Sequence, residues 1–156
     1  MARYYPFGMT HDTNALGQAV GREVPNWSDA QLPTGEPLDG RYCRLERLDP
    51  DRHVAALFEA NSVDVLGANW TYLPYGPYAS ILEYQAWVAD VAAQVDPLFF
   101  AVLDRSTNRA VGVASYLRAA PADGSIEVGH INFSPALQRT RASTEAMYLM
   151  MARVFD

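Results

Sequence analysis

Ser134–Ala146, SPALQRTRASTEA, separates one apolar run from another, and how it is read decides the fold. Upstream, Ile126–Phe133 has the character of a strand; downstream, Ala146, Leu149, Met150 and Val154 recur at helical spacing. The stretch is therefore a strand-to-helix loop of small polar residues around two arginines, Arg139 and Arg141. Such a loop aims backbone N–H groups and the positive end of the helix dipole at whatever lies above the helix, which makes an anion site. Ala142, Ser143 and Thr144 are small enough to let a phosphate approach the backbone, and arginine grips phosphate oxygens through two parallel hydrogen bonds. The glycines and lysine of the G-x-x-x-x-G-K-[ST] nucleotide loop are absent. An ordinary helix start with two solvated arginines fits the same residues, since every helix has a dipole, so both readings stay open at this point.

The runs before the loop set its context. Leu98–Leu103, Ala110–Tyr116 and Ile126–Phe133 are separated by the short polar turns DRSTNR (Asp104–Arg109) and PADGS (Pro121–Ser125), which predicts an antiparallel meander. A loop after a meander is unlike the dinucleotide fingerprint, which follows the first strand of a βαβ unit. Ser80 and Glu83 form a capping box ahead of Ile81, Tyr84, Val88, Val91 and Val95, so a helix is expected over 80–94. Asp49-Pro50 is an N-cap with proline at the first helical position, opening a helix over about 50–60, with a strand before it in GRYCRLERLDP (Gly40–Pro50). Between the two helices lies an aromatic loop, GANWTYLPYGPY (Gly67–Tyr78). Residues 1–40 are rich in Gly, Pro, Asn and Asp, carry isolated aromatics at Tyr4, Tyr5, Phe7 and Trp27, and show no period; they read as an irregular leader to a domain over 41–156. Strand, helix, helix, three strands, helix is an α+β order in three layers, a mostly antiparallel mixed sheet with flanking helices.

A chain of 156 residues with a net charge of −6 is one ordinary domain and a poor general binder of nucleic acid, whose affinity rests on lysine and arginine. The acidic balance is more comfortable with amine-bearing partners. One cysteine, Cys43, permits no intrachain disulfide, there is no membrane-spanning run and no secretory signal, so a cytoplasmic protein is expected. His11, His53 and His130 lack metal-ligand spacing, and no metal is expected.

With that order of elements, SIEVGHINFSP (Ser125–Pro135), LQRTRASTEA (Leu137–Ala146) and NRAVGVASY (Asn108–Tyr116) make the chain resemble the Gcn5-related N-acetyltransferase superfamily, most of all its RimJ/RimL-type branch, over Arg41–Asp156. In that family the loop after the fourth strand has a Q/R-x-x-G-x-G/A pattern and wraps the pyrophosphate of acetyl-coenzyme A. Gln138, Arg139, Thr140, Arg141, Ala142 and Ser143 stand at it here, followed by Thr144; Thr140 and Arg141 depart from the glycine-rich form. The resemblance implies that the pantetheine arm adds to the strand edge at the backbone of Ile131, Asn132 and Phe133. It also implies further strands beyond the last helix, so that the chain reads as the N-terminal part of an acetyltransferase.

Acetyl transfer needs a deprotonated amine and a donor for the tetrahedral oxyanion. The family often has a carboxylate where Glu127 stands, which makes it the first choice of general base; a solvated strand glutamate is the plainer alternative. His130 is the second choice, its ordinary pKa suiting base work. Three residues apart, the two face opposite sides of a regular strand unless a bulge intervenes. Asn69, Trp70, Tyr72 and Tyr75, with Ser115 on the third strand, are the candidates for an acceptor pocket, against simple packing of the loop. The expected activity is transfer of acetyl from acetyl-coenzyme A to a primary amine of a protein N-terminus, peptide or small molecule. The alternative is a catalytically silent half-domain that binds coenzyme or assembles with a partner chain. An open strand edge also makes homo-oligomerisation conceivable.

Overall fold

The structure, a computed structural model, describes residues 12–155. Tyr4, Tyr5, Phe7 and His11 lie outside the described residues, as does Asp156. Strands β1 (Asp12–Thr13) and β2 (Ala19–Val20) pair as a small hairpin. Strands β3 (Leu38–Asp39), β4 (Cys43–Arg47), β5 (Leu98–Asp104), β6 (Arg109–Ala120) and β7 (Ser125–Phe133) form one sheet in that spatial order, each neighbouring pair antiparallel. Helices α1 (Pro50–Ser62) and α2 (Ile81–Ala92) cover one face, and α3 (Arg141–Phe155) covers the other.

The continuous apolar run of β5 follows from this layering. Phe99, Ala101 and Leu103 pack with Val54, Leu57, Tyr84 and Val88 of α1 and α2, while Leu98, Phe100 and Val102 pack with Ala142, Ala146 and Met150 of α3. A strand covered on both faces has no polar side to alternate with. The caps fall where their chemistry predicts. The Asp49 carboxylate accepts from the N–H groups of Asp51 and Arg52 at 2.8 and 3.1 Å, and Ser80 Oγ accepts from Glu83 N. Glu83 reaches back to Ala79 N at 3.0 Å. The apolar face of α2 narrows to Tyr84, Val88 and Val91; Val95 lies beyond the helix and is 83% exposed. Leu38, ahead of Gly40, is a core residue, so the sheet takes β3 from the stretch read as leader. Two residues are too few to show a period.

The feature that builds the site is a bulge in β7. Ser115 pairs with Gly129 and Val113 with Asn132, so three steps along β7 oppose two along β6. His130 sits in the bulge with a left-handed φ of 49°, a conformation that costs a histidine energy and clusters at functional sites.

Candidate active site

The bulge turns the His130 ring onto the face covered by α1 and α2. It stacks on Phe99, with ring centroids 5.0 Å apart, and stands 5.9 Å from the Tyr75 ring. Its Nδ1 lies 2.8 Å from the hydroxyl of Ser115, and that hydroxyl is 3.3 Å from the Gly129 carbonyl it donates to. Burial lowers the His130 pKa from its ordinary value; Glu127 pulls it up and Arg118 pulls it down. The imidazole is therefore neutral at physiological pH, with an acceptor nitrogen to offer.

Glu127 reaches the same face as His130, which the bulge permits and a regular strand would not. Its carboxylate is gripped by Arg118, whose Nε and Nη2 donate at 2.9 and 2.6 Å. Arg118 is itself in the left-handed region, with φ 51°, and its backbone N–H is held by the Asp96 carboxylate at 2.9 Å. Both guanidinium donors fall on one carboxylate oxygen, Oε2, so the side chain is held in place by Arg118.

Tyr75 stands between Trp87, 4.6 Å away centroid to centroid, and His130. Burial pushes its phenol well above the ordinary value, and the buried hydroxyl has no partner among the described residues. Trp70 is 7% exposed and packs edge-on against Tyr75, Tyr78 and Tyr84, so it is core to the wall rather than a surface for a ligand. Tyr72 is 97% exposed and shares no ring contact with that cluster. Ser115 is fully buried and holds His130 instead of lining a cleft. Asn69 turns its amide to Gln138 and Asn61. Asn132 is buried with both amide atoms unpartnered among the described residues, and Ile131 beside it is 40% exposed. No strand pairs with the outer edge of β7 among the described residues; the Phe133 carbonyl is taken by Gln138 Nε2 at 2.8 Å.

Ser134 closes β7 by donating its N–H to the Val111 carbonyl, and its own carbonyl accepts from Leu137 and Gln138. Arg139 follows with a left-handed φ of 59°, and Thr140 caps α3. Thr140 Oγ1 accepts from Ser143 N at 3.2 Å, while Ser143 Oγ accepts from Thr140 N at 3.2 Å. Thr144 N bonds back to the Thr140 carbonyl, starting the helical ladder. Arg139 and Arg141 are exposed and, among the described residues, have no carboxylate within 4.0 Å. Arg141 and Arg41 both lie over the Tyr42 ring, at 5.6 and 5.3 Å. A groove of about 630 Å³ runs past Tyr42, Arg139, Thr140, Arg141, Thr144 and Tyr148. A second, of about 460 Å³, opens between Arg41, Arg105, Ser106 and Ala142. These donors, with the start of α3 and grooves of this size, fit an extended polyphosphate ligand.

Behind the loop, the Glu145 carboxylate accepts three backbone N–H groups, from Arg41, Tyr42 and Cys43, at 2.8, 2.6 and 2.8 Å. Burial raises the Glu145 pKa, but the three bonds outweigh it and hold the group below its ordinary value. Burial, and then Glu145, push the Cys43 thiol up to about 12, so it is no nucleophile.

Sequence reasoning missed Arg41, Tyr42, Arg118 and Asn61. The first two reach the α3 start only through the β3–β4 turn, and Arg118 meets Glu127 across strands; no local pattern announces either. Among the described residues no three His, Cys, Asp or Glu side chains group as metal ligands, and no helix is long and apolar enough to cross a membrane.

No family model matches the chain, and neither does any curated protein. Solved structures do. A GCN5-related N-acetyltransferase from Brucella melitensis is 38% identical, with a TM-score of 0.82 over 85% of this chain and 60% of that one. A probable acetyltransferase of the GNAT family from Chromobacterium violaceum is 35% identical, with a TM-score of 0.77 over 88% of this chain and 69% of that one. RimL, a ribosomal L7/L12 α-N-protein acetyltransferase, shares the fold alone: 16% identity and a TM-score of 0.60, over 78% of this chain and 67% of that one. The chain thus spans three-fifths of the Brucella protein's length and about two-thirds of the other two.

Proposed function

The chain belongs to the GNAT family of GCN5-related N-acetyltransferases, and on that premise we propose that it binds acetyl-coenzyme A and transfers its acetyl group to a primary amine. The observation that carries this reading is the loop from Ser134 to the Thr140 cap, where Arg139 and Arg141, unpaired by carboxylates, flank the start of α3 beside the unpaired edge of β7. When bound, the coenzyme supplies the acetyl group as a thioester. Gln138, Arg139, Thr140, Arg141, Ala142, Ser143 and Thr144 form the cradle for its pyrophosphate, with N–H groups and guanidinium donors on one side. The edge of β7 around Ile131 and Asn132 offers backbone groups to an extended arm.

His130 is the general base in this proposal, ahead of Glu127. With the Ser115 hydroxyl donating to the Gly129 carbonyl, its oxygen accepts the His130 Nδ1 proton, which leaves Nε2 basic. Nε2 takes the proton that the attacking amine must lose. Glu127, locked to Arg118, acts as a fixed negative charge that favours the imidazolium once the proton has moved. Tyr75 and Phe99 exclude water around the ring. The acceptor belongs to the class of peptide or protein N-termini and small amines; the resemblance of the loop residues Gln138–Ala146 to the RimJ/RimL branch supports that reading.

Release of coenzyme A thiol is the test: acetyl-coenzyme A with a panel of peptide N-termini and small amines should give saturable, amine-dependent release. Measurable coenzyme binding with no turnover across the panel would sink the transferase reading in favour of a silent binding module.

A further inference from the structure

Four hydrogen bonds run from the loop after β7 to the last turns of α1. Gln138 Nε2 donates to the Phe133 carbonyl at 2.8 Å and to Asn69 Oδ1 at 2.6 Å. Asn69 Nδ2 donates to Asn61 Oδ1 at 3.3 Å, and Asn61 Nδ2 donates to the Leu57 carbonyl at 3.0 Å. Asn69 and Asn61 each accept through oxygen and donate through nitrogen, while Gln138 donates twice through Nε2, so all three orientations are mutually set. Flipping any one amide would face two donors or two acceptors. The chain starts at exposed Gln138 and ends at Asn61, which is buried at 8% exposure.

Asn69 is not free to follow the loop. Asp64 accepts the backbone N–H groups of Ala68 and Asn69 at 3.1 and 2.7 Å, fixing the short 3₁₀ turn Ala68–Trp70 at the end of α1. The next residue of that turn, Trp70, packs on Tyr75, which faces His130. One rigid turn thus carries the aromatic wall beside the base and the anchor of the anion loop. Around Gln138 the loop is otherwise exposed, from Gln138 to Arg141, and passes through the left-handed Arg139. A loop without an anchor must lose freedom when a ligand orders it, and apparent affinity falls with the fraction in the competent shape.

We propose that Asn61, Asn69 and Gln138 are positioning residues, an amide relay through which the turn carrying the acceptor wall sets the coenzyme loop. The proposal rests on the coenzyme reading above. It makes coenzyme affinity depend on Asn61 and Asn69, which lie outside the phosphate cradle. By linkage, whatever the acceptor does to the Asn69 turn is felt at the loop.

The test compares the full chain with Asn69→Ala, Gln138→Ala, Asn61→Leu and the Asn69→Ala/Gln138→Ala double variant. Coenzyme A affinity is measured by calorimetry, and amide hydrogen exchange over residues 134–144 is measured without coenzyme. Each single substitution is expected to weaken binding about fivefold, the value of one net hydrogen bond. The double variant should be no weaker than the worse single, because the residues act as one unit. Loop amides should exchange faster in Asn69→Ala before any coenzyme is added. Additive losses, or an Asn69→Ala protein with wild-type affinity and exchange, overturn the relay. Should Asn61→Leu fail to fold, the double cycle between the exposed end and Asn69 still decides. A wild-type chain without measurable coenzyme A affinity overturns the coenzyme reading itself, while the exchange result still judges the anchoring.

Discussion

Glu145→Gln is expected to loosen the joint between α3 and the β3–β4 turn, and the size of the effect follows from three hydrogen bonds. Glu145 Oε1 accepts from Arg41 N, while Oε2 accepts from both Tyr42 N and Cys43 N. Glutamine has one oxygen. In its better rotamer it keeps the half-buried pair and turns its NH₂ toward the N–H of Arg41; in the other it abandons the pair. Bonds to a charged acceptor are worth roughly twice neutral ones, so losing the charge weakens even those that survive. The exposed Arg41 bond contributes least. About 2–3 kcal/mol is the expected loss, counting one bond removed and two demoted. For a domain of this size that lowers Tm by about 4–12 °C.

The loss must also depend on pH with a defined sign. Burial raises the Glu145 pKa, yet the N–H bonds leave it below the ordinary 4.5. A depressed folded-state pKa gives stability that is present in full above the unfolded-state value and fades as pH falls through the folded one. Thermal unfolding of both proteins from pH 7 down to pH 3 measures this. The Tm gap should be constant above roughly pH 5 and close as pH falls below the ordinary carboxylate range. A gap under about 1 kcal/mol at pH 7, or one unchanged at pH 3, refutes the reasoning.

Three further outcomes follow. Gly40→Ala should cost about 1–3 kcal/mol in denaturant unfolding, because its Cβ would land on the Glu145 carboxylate and 2.9 Å from Leu149 Cδ1; a loss below about 0.5 kcal/mol contradicts that packing. Replacing Arg139 and Arg141 together by alanine should weaken coenzyme A about 30-fold, at about 1 kcal/mol for each exposed charge contact, and flatten the salt dependence of binding; unchanged affinity removes them from the cradle. Glu127→Gln separates the two candidate bases through the pH–rate profile: the acid limb moves to lower pH if His130 is the base, since Glu127 raises its pKa, whereas loss of the limb assigns the role to Glu127.

Local chemistry made much of the fold legible. Asp49-Pro50 and Ser80 open α1 and α2 where capping residues should, and the two polar turns of the meander divide β5, β6 and β7. Elements of two residues, such as β3, have no period to read. The site was less legible because its geometry is settled between strands. The chain names Glu127 and His130 three residues apart, but the pairing of Gly129 with Ser115 and of Asn132 with Val113 places the bulge that joins their faces. Arg118 reaches Glu127 only because its own φ of 51° is pinned by Asp96, twenty-two residues away in the chain. An aromatic loop is visible as composition; that Trp70 is wall and Tyr72 is surface depends on the cluster of Tyr75, Tyr78 and Tyr84 around it.

Charge shows why composition misleads about the ligand. A net −6 argues for cationic partners, yet the start of α3 gathers Arg41, Arg139 and Arg141, none with a carboxylate within 4.0 Å among the described residues. Elsewhere among the described residues Arg52 and Arg44 are matched with Glu46, Arg109 with Glu59, Arg118 with Glu127, and Arg105 with Asp39 at the rim of the groove, while Arg47 is held by the Ala92 and Gln94 carbonyls. Exposed charges act over about a Debye length, roughly 8–10 Å at ordinary ionic strength. The acidic total is therefore averaged over a surface the ligand never feels, and the unmatched arginines beside a helix N-terminus set the local sign. On the proposed function, the phosphates of the donor meet that unmatched cluster at the end of β7, while the acceptor meets Glu127, whose charge Arg118 already matches.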